Sequence, residues 1–364
     1  MPVTGWRAAP QQARAQGRPG AYLRRWRAGA RSWAVRAAGA VLLSGAMATS
    51  AAPVTARPAA TPLRTFAYVT DLDADTVSVV DTRRNRVTDT VPVGDGPNSA
   101  AVTPDGSRVY VTESRADTVS VISTRGNKVR RTIPVGDEPS RVAVSPDGSA
   151  VYVSNVRSND LSVIDTATDT VVATVPLGAF PLGVAFLPDG SRAYVANAGT
   201  NDVWVIDTAT HAVTGMVPVG SGPTGVAITP DGSRAYVTNL TSDDVSVVDV
   251  AAGTVIGTVP AGDEPAGVAV VPDGSRVYVA NVGSDDVSVI STVTDAVIGT
   301  VPAGDGSIGV AVVPDGSRVY VTNVGSDDVS VISTVTDAVI RTVPVGDGPT
   351  GVAITRGMHR WRPA

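Results

Sequence analysis

Cysteine is absent from the 364 residues, which excludes disulfides, thiolate metal sites and a lipid anchor carried on a cysteine. Histidine occurs only at His211 and His359, and glutamate only at Glu113, Glu138 and Glu264, so the chain offers few groups for general acid–base chemistry. No metal-ligand spacing, phosphate-cradling glycine loop or nucleophile elbow is present. Acids are also missing from the first 36 positions, which hold eight arginines and lead into an alanine-rich apolar stretch at 37–48. A basic region followed by a short apolar one has the pattern of an export leader. Residues 1–56 are read as signal peptide and leader, cleaved after Ala48 or Ala56, and 57–65 as a linker. The apolar stretch is interrupted at Ser44, Thr49, Ser50 and Pro53, before it reaches the ~20 residues of a spanning helix. Arg24-Arg25 resembles a twin-arginine signal only weakly, because Arg27, Arg31 and Arg36 separate it from that stretch. Beyond the leader, 21 Lys+Arg face 34 Asp+Glu, an acidic balance that does not suit a general nucleic-acid binder.

What fills the rest is repetition. Tyr68, Tyr110, Tyr152, Tyr194, Tyr236, Tyr278 and Tyr320 stand 42 residues apart without a slip. A period of about 40 residues marks units that cannot bury their apolar faces alone. In the unit from Gly225 to Gly262, four short valine-rich runs are bounded by turn residues: Gly225–Thr229, Arg234–Thr238, Val245–Asp249 and Val255–Pro260. Pro230-Asp231-Gly232-Ser233 joins the first two as a tight hairpin. A four-stranded antiparallel meander of this length is a propeller blade; a β-solenoid, with its short flat coils, fits three distinct turns per unit poorly. Valines stand on both sides of the strands, so both faces of each sheet need cover.

The fold class is therefore all-β: a seven-bladed β-propeller of 42-residue repeats spanning 66–355, with a tail at 356–364. First-strand segments begin at 99, 141, 183, 225, 267, 309 and 351, whereas the earliest clear strand, 66–70, is of the second type. The segment 351–355 is thus the innermost strand missing from the blade of residues 66–94, and its return closes the ring and removes open edges.

Tyr236-Val237-Thr238-Asn239 and Tyr320-Val321-Thr322-Asn323, with variants in every unit, resemble the YVTN-family propeller repeat over residues 66–355. The resemblance implies an extracytoplasmic protein, similar to surface-layer and periplasmic propellers and related to lactonase-like ones; it implies no single activity.

Candidate ligand residues occupy the entering loops of five blades at the channel mouth, Asp95, Asp137, Glu138, Asp263, Glu264, Asp305 and Asp347, with Ala179 and Ser221 at the other two positions. Hard cations take oxygen ligands, so a divalent cation is conceivable there; ordinary turn chemistry, with Asp accepting local backbone hydrogen bonds, is the simpler expectation. The motif asparagine is expected to cap the following loop. Glu113 takes that asparagine position, and His211 stands in a loop where other units carry Asp or Asn, as a solvated side chain. Trp204 replaces a serine found in the six other units and is either a contact residue or inter-blade filler. Arg83, Arg84 and Arg86, then Arg125, Lys128, Arg130 and Arg131, form a basic strip in the first two blades. No residue is expected to break the sevenfold pattern at the channel. Residues 271–306 and 313–348 differ at three positions, so individuality is sought in 66–220. The functional expectation is an exported, monomeric, non-enzymatic binding or cell-surface scaffold for an envelope protein, glycan or wall component, without a resident cofactor or a membrane span after leader removal. The alternatives are a lactonase-like hydrolase or lyase using a cation held by Asp137, Glu138, Asp263 and Glu264, and an anion-binding module built on the basic strip.

Overall fold

The computed structural model describes residues 64–355; the leader at 1–56, most of the linker and the tail at 356–364 lie outside the described residues. Twenty-eight strands, β1 to β28 in chain order, form seven four-stranded antiparallel sheets. The first sheet has the order β28-β1-β2-β3, where β1 is Phe66–Asp71, β2 Thr76–Asp81, β3 Arg86–Pro92 and β28 Pro349–Ile354. The C-terminal strand therefore completes the first blade, as the repeat count requires. Ala67, Tyr68, Val69 and Thr70 pair with Ile354, Ala353, Val352 and Gly351, and the Thr355 amide donates to the Phe66 carbonyl at 2.9 Å. Arg64 and Thr65, assigned to the linker, are already fastened to this blade: Arg64 pairs with Asp81 at 2.9 Å and the Thr65 hydroxyl meets that of Thr82.

The remaining innermost strands are β4 (Pro97–Val102), β8 (Pro139–Val144), β12 (Pro181–Phe186), β16 (Pro223–Ile228), β20 (Pro265–Val270) and β24 (Ser307–Val312). Each begins about two residues earlier than its valine pattern suggests, because its first residue pairs across a bulge, as Pro97 does with Glu113. The second and third strands of every blade are buried on both faces, whereas the outermost strand is mostly exposed. Core clusters span blade interfaces: Tyr236, Val245, Val247 and Val259 of the fifth blade pack on Val277, Val279 and Ile290 of the sixth. Burial of each such side chain contributes about 1.5–3 kcal/mol, and none of it is available to a blade on its own.

The tyrosine ladder is also polar. Each ring is buried, and its hydroxyl reaches the third turn of the next blade: Tyr68 donates to Asn127 at 2.7 Å, Tyr110 to Asp169 at 2.7 Å, Tyr236 to Asp295 at 2.6 Å, and Tyr320, across the closure, to Asn85 at 2.5 Å. The residue at this turn position has a left-handed backbone in every blade, which suits its Asn, Asp or Gly identity in six of the seven. His211 is such a partner, 2.9 Å from the Tyr152 hydroxyl through Nδ1, and not the solvated histidine expected from the sequence. Only Tyr194 has no partner among the described residues, because its latch position is Gly253.

Candidate functional site

Antiparallel connection puts two sets of loops on one end of the propeller: those from the second to the third strand, and those leading from one blade into the next. A sevenfold scaffold fixes them. The acid or amide ending each second-to-third loop accepts the backbone N–H of the residue ending the following entering loop, as Asp75 does from Gly96, Asp117 from Glu138, Asn159 from Phe180 and Asp243 from Glu264, at 2.8–2.9 Å. The local backbone bonding expected of Asp95, Asp137, Asp263, Asp305 and Asp347 thus belongs to a different ring of residues. Those five aspartates are exposed on the loop face. Asp95 faces Arg115 at 3.4 Å, and burial followed by the neighbouring Asp285 raises the Asp305 carboxyl above its ordinary range.

Among the described residues no three His, Asp or Glu side chains are grouped to hold a metal ion. Asp137 and Glu138 enter the third blade, Asp263 and Glu264 the sixth, so the cation set drawn from the sequence is not brought together. Glu138 instead lies 3.7 Å from Arg157; burial raises its carboxyl, with Arg157 opposing and Asp117 adding to the shift.

Three residues of this face escaped the sequence reading. Arg115 and Arg157 occupy one repeat position, which is Gly199, Gly283 and Gly325 in other blades. Phe180 ends the entering loop of the fourth blade with a φ of 55°, a position that is glycine in four blades, and its ring remains 43% exposed. A left-handed backbone at a bulky residue costs about 1–3 kcal/mol; the ring lies over Gly199, where an added Cβ would sit 2.7 Å from its Cδ2. Glu138 and Glu264 share the left-handed backbone.

The channel wall holds the other break. At the third position of the innermost strands stand Ser99, Arg141, Gly183, Gly225, Gly267, Gly309 and Gly351. Glycine is needed where these strands approach backbone to backbone: a Cβ at Gly267 would lie 2.2 Å from the Ile308 carbonyl oxygen. Arg141 is the only charged residue on any innermost strand. Its Nη1 lies 3.4 Å from Asn98 Oδ1 on β4, so the guanidinium stays within the ring of innermost strands, and burial lowers its pKa. The expectation of an uninterrupted channel is corrected here; reading the repeat as columns of 42 would have found it.

The motif asparagine bonds differently from the loop cap expected. Asn155 Nδ2 donates to Asp160 Oδ1 at 2.6 Å and Ser162 Oγ at 2.9 Å, tying the second strand to the third. Glu113 substitutes by accepting the Gly94 N–H at 2.7 Å and the Thr118 hydroxyl, and is buried. Trp204 removes that serine partner from Asn197; it is half-buried between its register partners Val195 and Met216, with Nε1 enclosed and unbonded among the described residues. The basic strip lies away from the loop face. Arg83 and Arg84 belong to a turn at the opposite end, and Arg86, Arg130 and Arg131 to the outermost strands β3 and β7 (Lys128–Pro134). Arg84 pairs with Asp81 at 3.1 Å. Burial alone would raise that carboxyl, but hydrogen bonds from Arg64 and from Arg83 and Arg84 hold it below the usual range.

Residues 30–360 match the model of the YNCE-like beta-propeller family. The chain belongs to that family. Its solved structural relatives agree on the fold. Hydrazine synthase of Kuenenia stuttgartiensis is 25% identical with a TM-score of 0.65, over 71% of this chain and 89% of that one. A functionally unknown protein from Desulfotomaculum acetoxidans is 18% identical with a TM-score of 0.72, covering 80% and 99%. A putative 6-phosphogluconolactonase from Bacteroides uniformis is 17% identical with a TM-score of 0.69, again over 80% and 99%. No curated protein matches the chain. No helix among the described residues is long and apolar enough to cross a membrane.

Proposed function

We propose that this YNCE-like propeller is an exported, non-enzymatic binding module that engages an envelope protein, glycan or wall component through the loop face of its second to fourth blades. The basic, acid-free leader supports export. The observation that carries the contact face is Phe180: an exposed aromatic ring held on a left-handed backbone beside the Arg157 loop, where four blades have glycine. A left-handed backbone favours glycine at this position, whereas exposed aromatics and arginines are what interfaces use. Blades six and seven, nearly identical, serve as scaffold.

The test is sedimentation of the purified protein with separated wall polymer, wall protein and membrane fractions of its own envelope. Phe180→Gly, which suits the backbone, combined with Arg157→Ala is expected to weaken binding to one fraction by about tenfold or more, as loss of a contact worth 1.4 kcal/mol would. Binding to no fraction, or equal binding by the double variant, would refute this face.

A further inference from the structure

Five other arginines at the blade interfaces or on the loop face meet an acid, and Arg318 donates instead to the Thr82 carbonyl and Asn85 Oδ1. Arg108 meets Asp169, Arg115 meets Asp73, Arg157 meets Glu138, Arg234 meets Asp295 and Arg276 meets Asp337. Arg141 meets no acid among the described residues; its one side-chain hydrogen bond there is the long one to the Asn98 amide oxygen. Burial is the sole influence on its ionisation, with no carboxylate acting on it. Arginine nevertheless stays charged in proteins. A cation largely withdrawn from solvent without a counter-charge is unfavourable, and an anion taken up from solution relieves it.

The surroundings suit such a group. Asn98 and Ser140 are buried at the same level of the channel, and Asn98 Nδ2 lies 3.3 Å from Ser140 Oγ. Asn98 therefore links the guanidinium, which it meets through Oδ1, to the Ser140 hydroxyl, which it meets through Nδ2, and the planar fork of the guanidinium matches two oxygens of one anion. Arg141 is the third residue of β8, two positions beyond Pro139, which follows the entering loop, so it lies near the loop-face end of that strand. Its side chain also retains intermediate exposure, so solvent reaches it.

We propose that the central channel is an anion site, in which Arg141, flanked by Asn98 and Ser140, takes a compact phosphate or carboxylate group of a small molecule. The site is distinct from the Phe180 contact face and from the basic strip, and it stands or falls separately from both.

The test is the thermal midpoint of the full chain, titrated separately with inorganic phosphate and with acetate in chloride buffer of matched ionic strength. Saturable stabilisation by at least one of them is expected. A response to phosphate alone, acetate alone or both supports the site and identifies the oxygen group it reads. Arg141→Gly restores the residue of five other blades and Arg141→Gln preserves the side-chain bulk; in each, apparent affinity is expected to fall at least about tenfold. Arg130→Glu with Arg131→Glu is expected to leave it unchanged. No saturable response in the wild type, an undiminished response in either Arg141 variant, or a response abolished by the Arg130 and Arg131 reversals would overturn the proposal.

Discussion

Asp71 shows how one residue departs from its six equivalents. It occupies the motif position that is asparagine in five blades, and it is fully buried. Burial raises its carboxyl from 3.8 to about 6, against hydrogen bonds from Ser78, Thr76 and the Gly346 N–H. Between these values the folded state holds a proton that the unfolded state has released. This group's contribution to stability is therefore lost as pH rises from about 4 to 6 and stays lost at neutral pH, by up to about 3 kcal/mol. Asp71→Asn is expected to raise the neutral-pH midpoint by a few degrees, the wild-type deficit appearing between pH 4 and 6 in paired melting curves. Parallel curves across that window would show that Asp71 titrates normally. Gly253 offers a second test. A Cβ there meets nothing within 4 Å, and φ is 64°, a conformation asparagine tolerates. Gly253→Asn gives Tyr194 the acceptor that the other six tyrosines have and restricts the unfolded chain, for a gain of about 1 kcal/mol, read in denaturant midpoints. A Gly253→Asn, Tyr194→Phe double variant should lose most of the hydrogen-bond part.

Two kinds of strand carry the architecture. The outermost ones are edges, and each has a bulge against its neighbour, at Val172, Ile256, Ile298 and Ile340 among others. A bulge interrupts the ladder that a second chain would use as a template, which allows these positions to remain apolar and exposed. The innermost ones are linkers of the ring, and β28 is decisive because it joins the chain's two ends. Removing residues 350–364 leaves β1 unpaired on its inner side and strips the Thr350 and Gly351 contacts with Thr70. The expected loss is about 5 kcal/mol or more, seen by calorimetry as a collapse of the cooperative transition. An unaltered transition would mean that the ring does not depend on this closure.

Across the whole molecule, regularity and individuality separate. Residues 215–355 hold 16 acids and four arginines on near-identical blades, while Arg115, Glu138, Arg141, Arg157 and Phe180 cluster in the second to fourth. Opposite the acidic arc lies one irregular sector of loop face and channel. That arrangement fits the proposed binding role: a ring fixes geometry, and a few broken columns differ from it. The chain by itself determined the blade count, the strand order and the closure, because a 42-residue period with complementary ends admits one ring. It also pointed to Trp204 and the glutamates, since these are visible as departures from a pattern. Only the tertiary structure decided what the departures do. Latch pairs such as Tyr152 with His211 are 59 residues apart and join different blades, so no local pattern announces them. Whether an arginine lies on an outer strand, pairs with an acid or stands uncompensated in the channel depends on which strand turns inward, and that is a property of the closed ring.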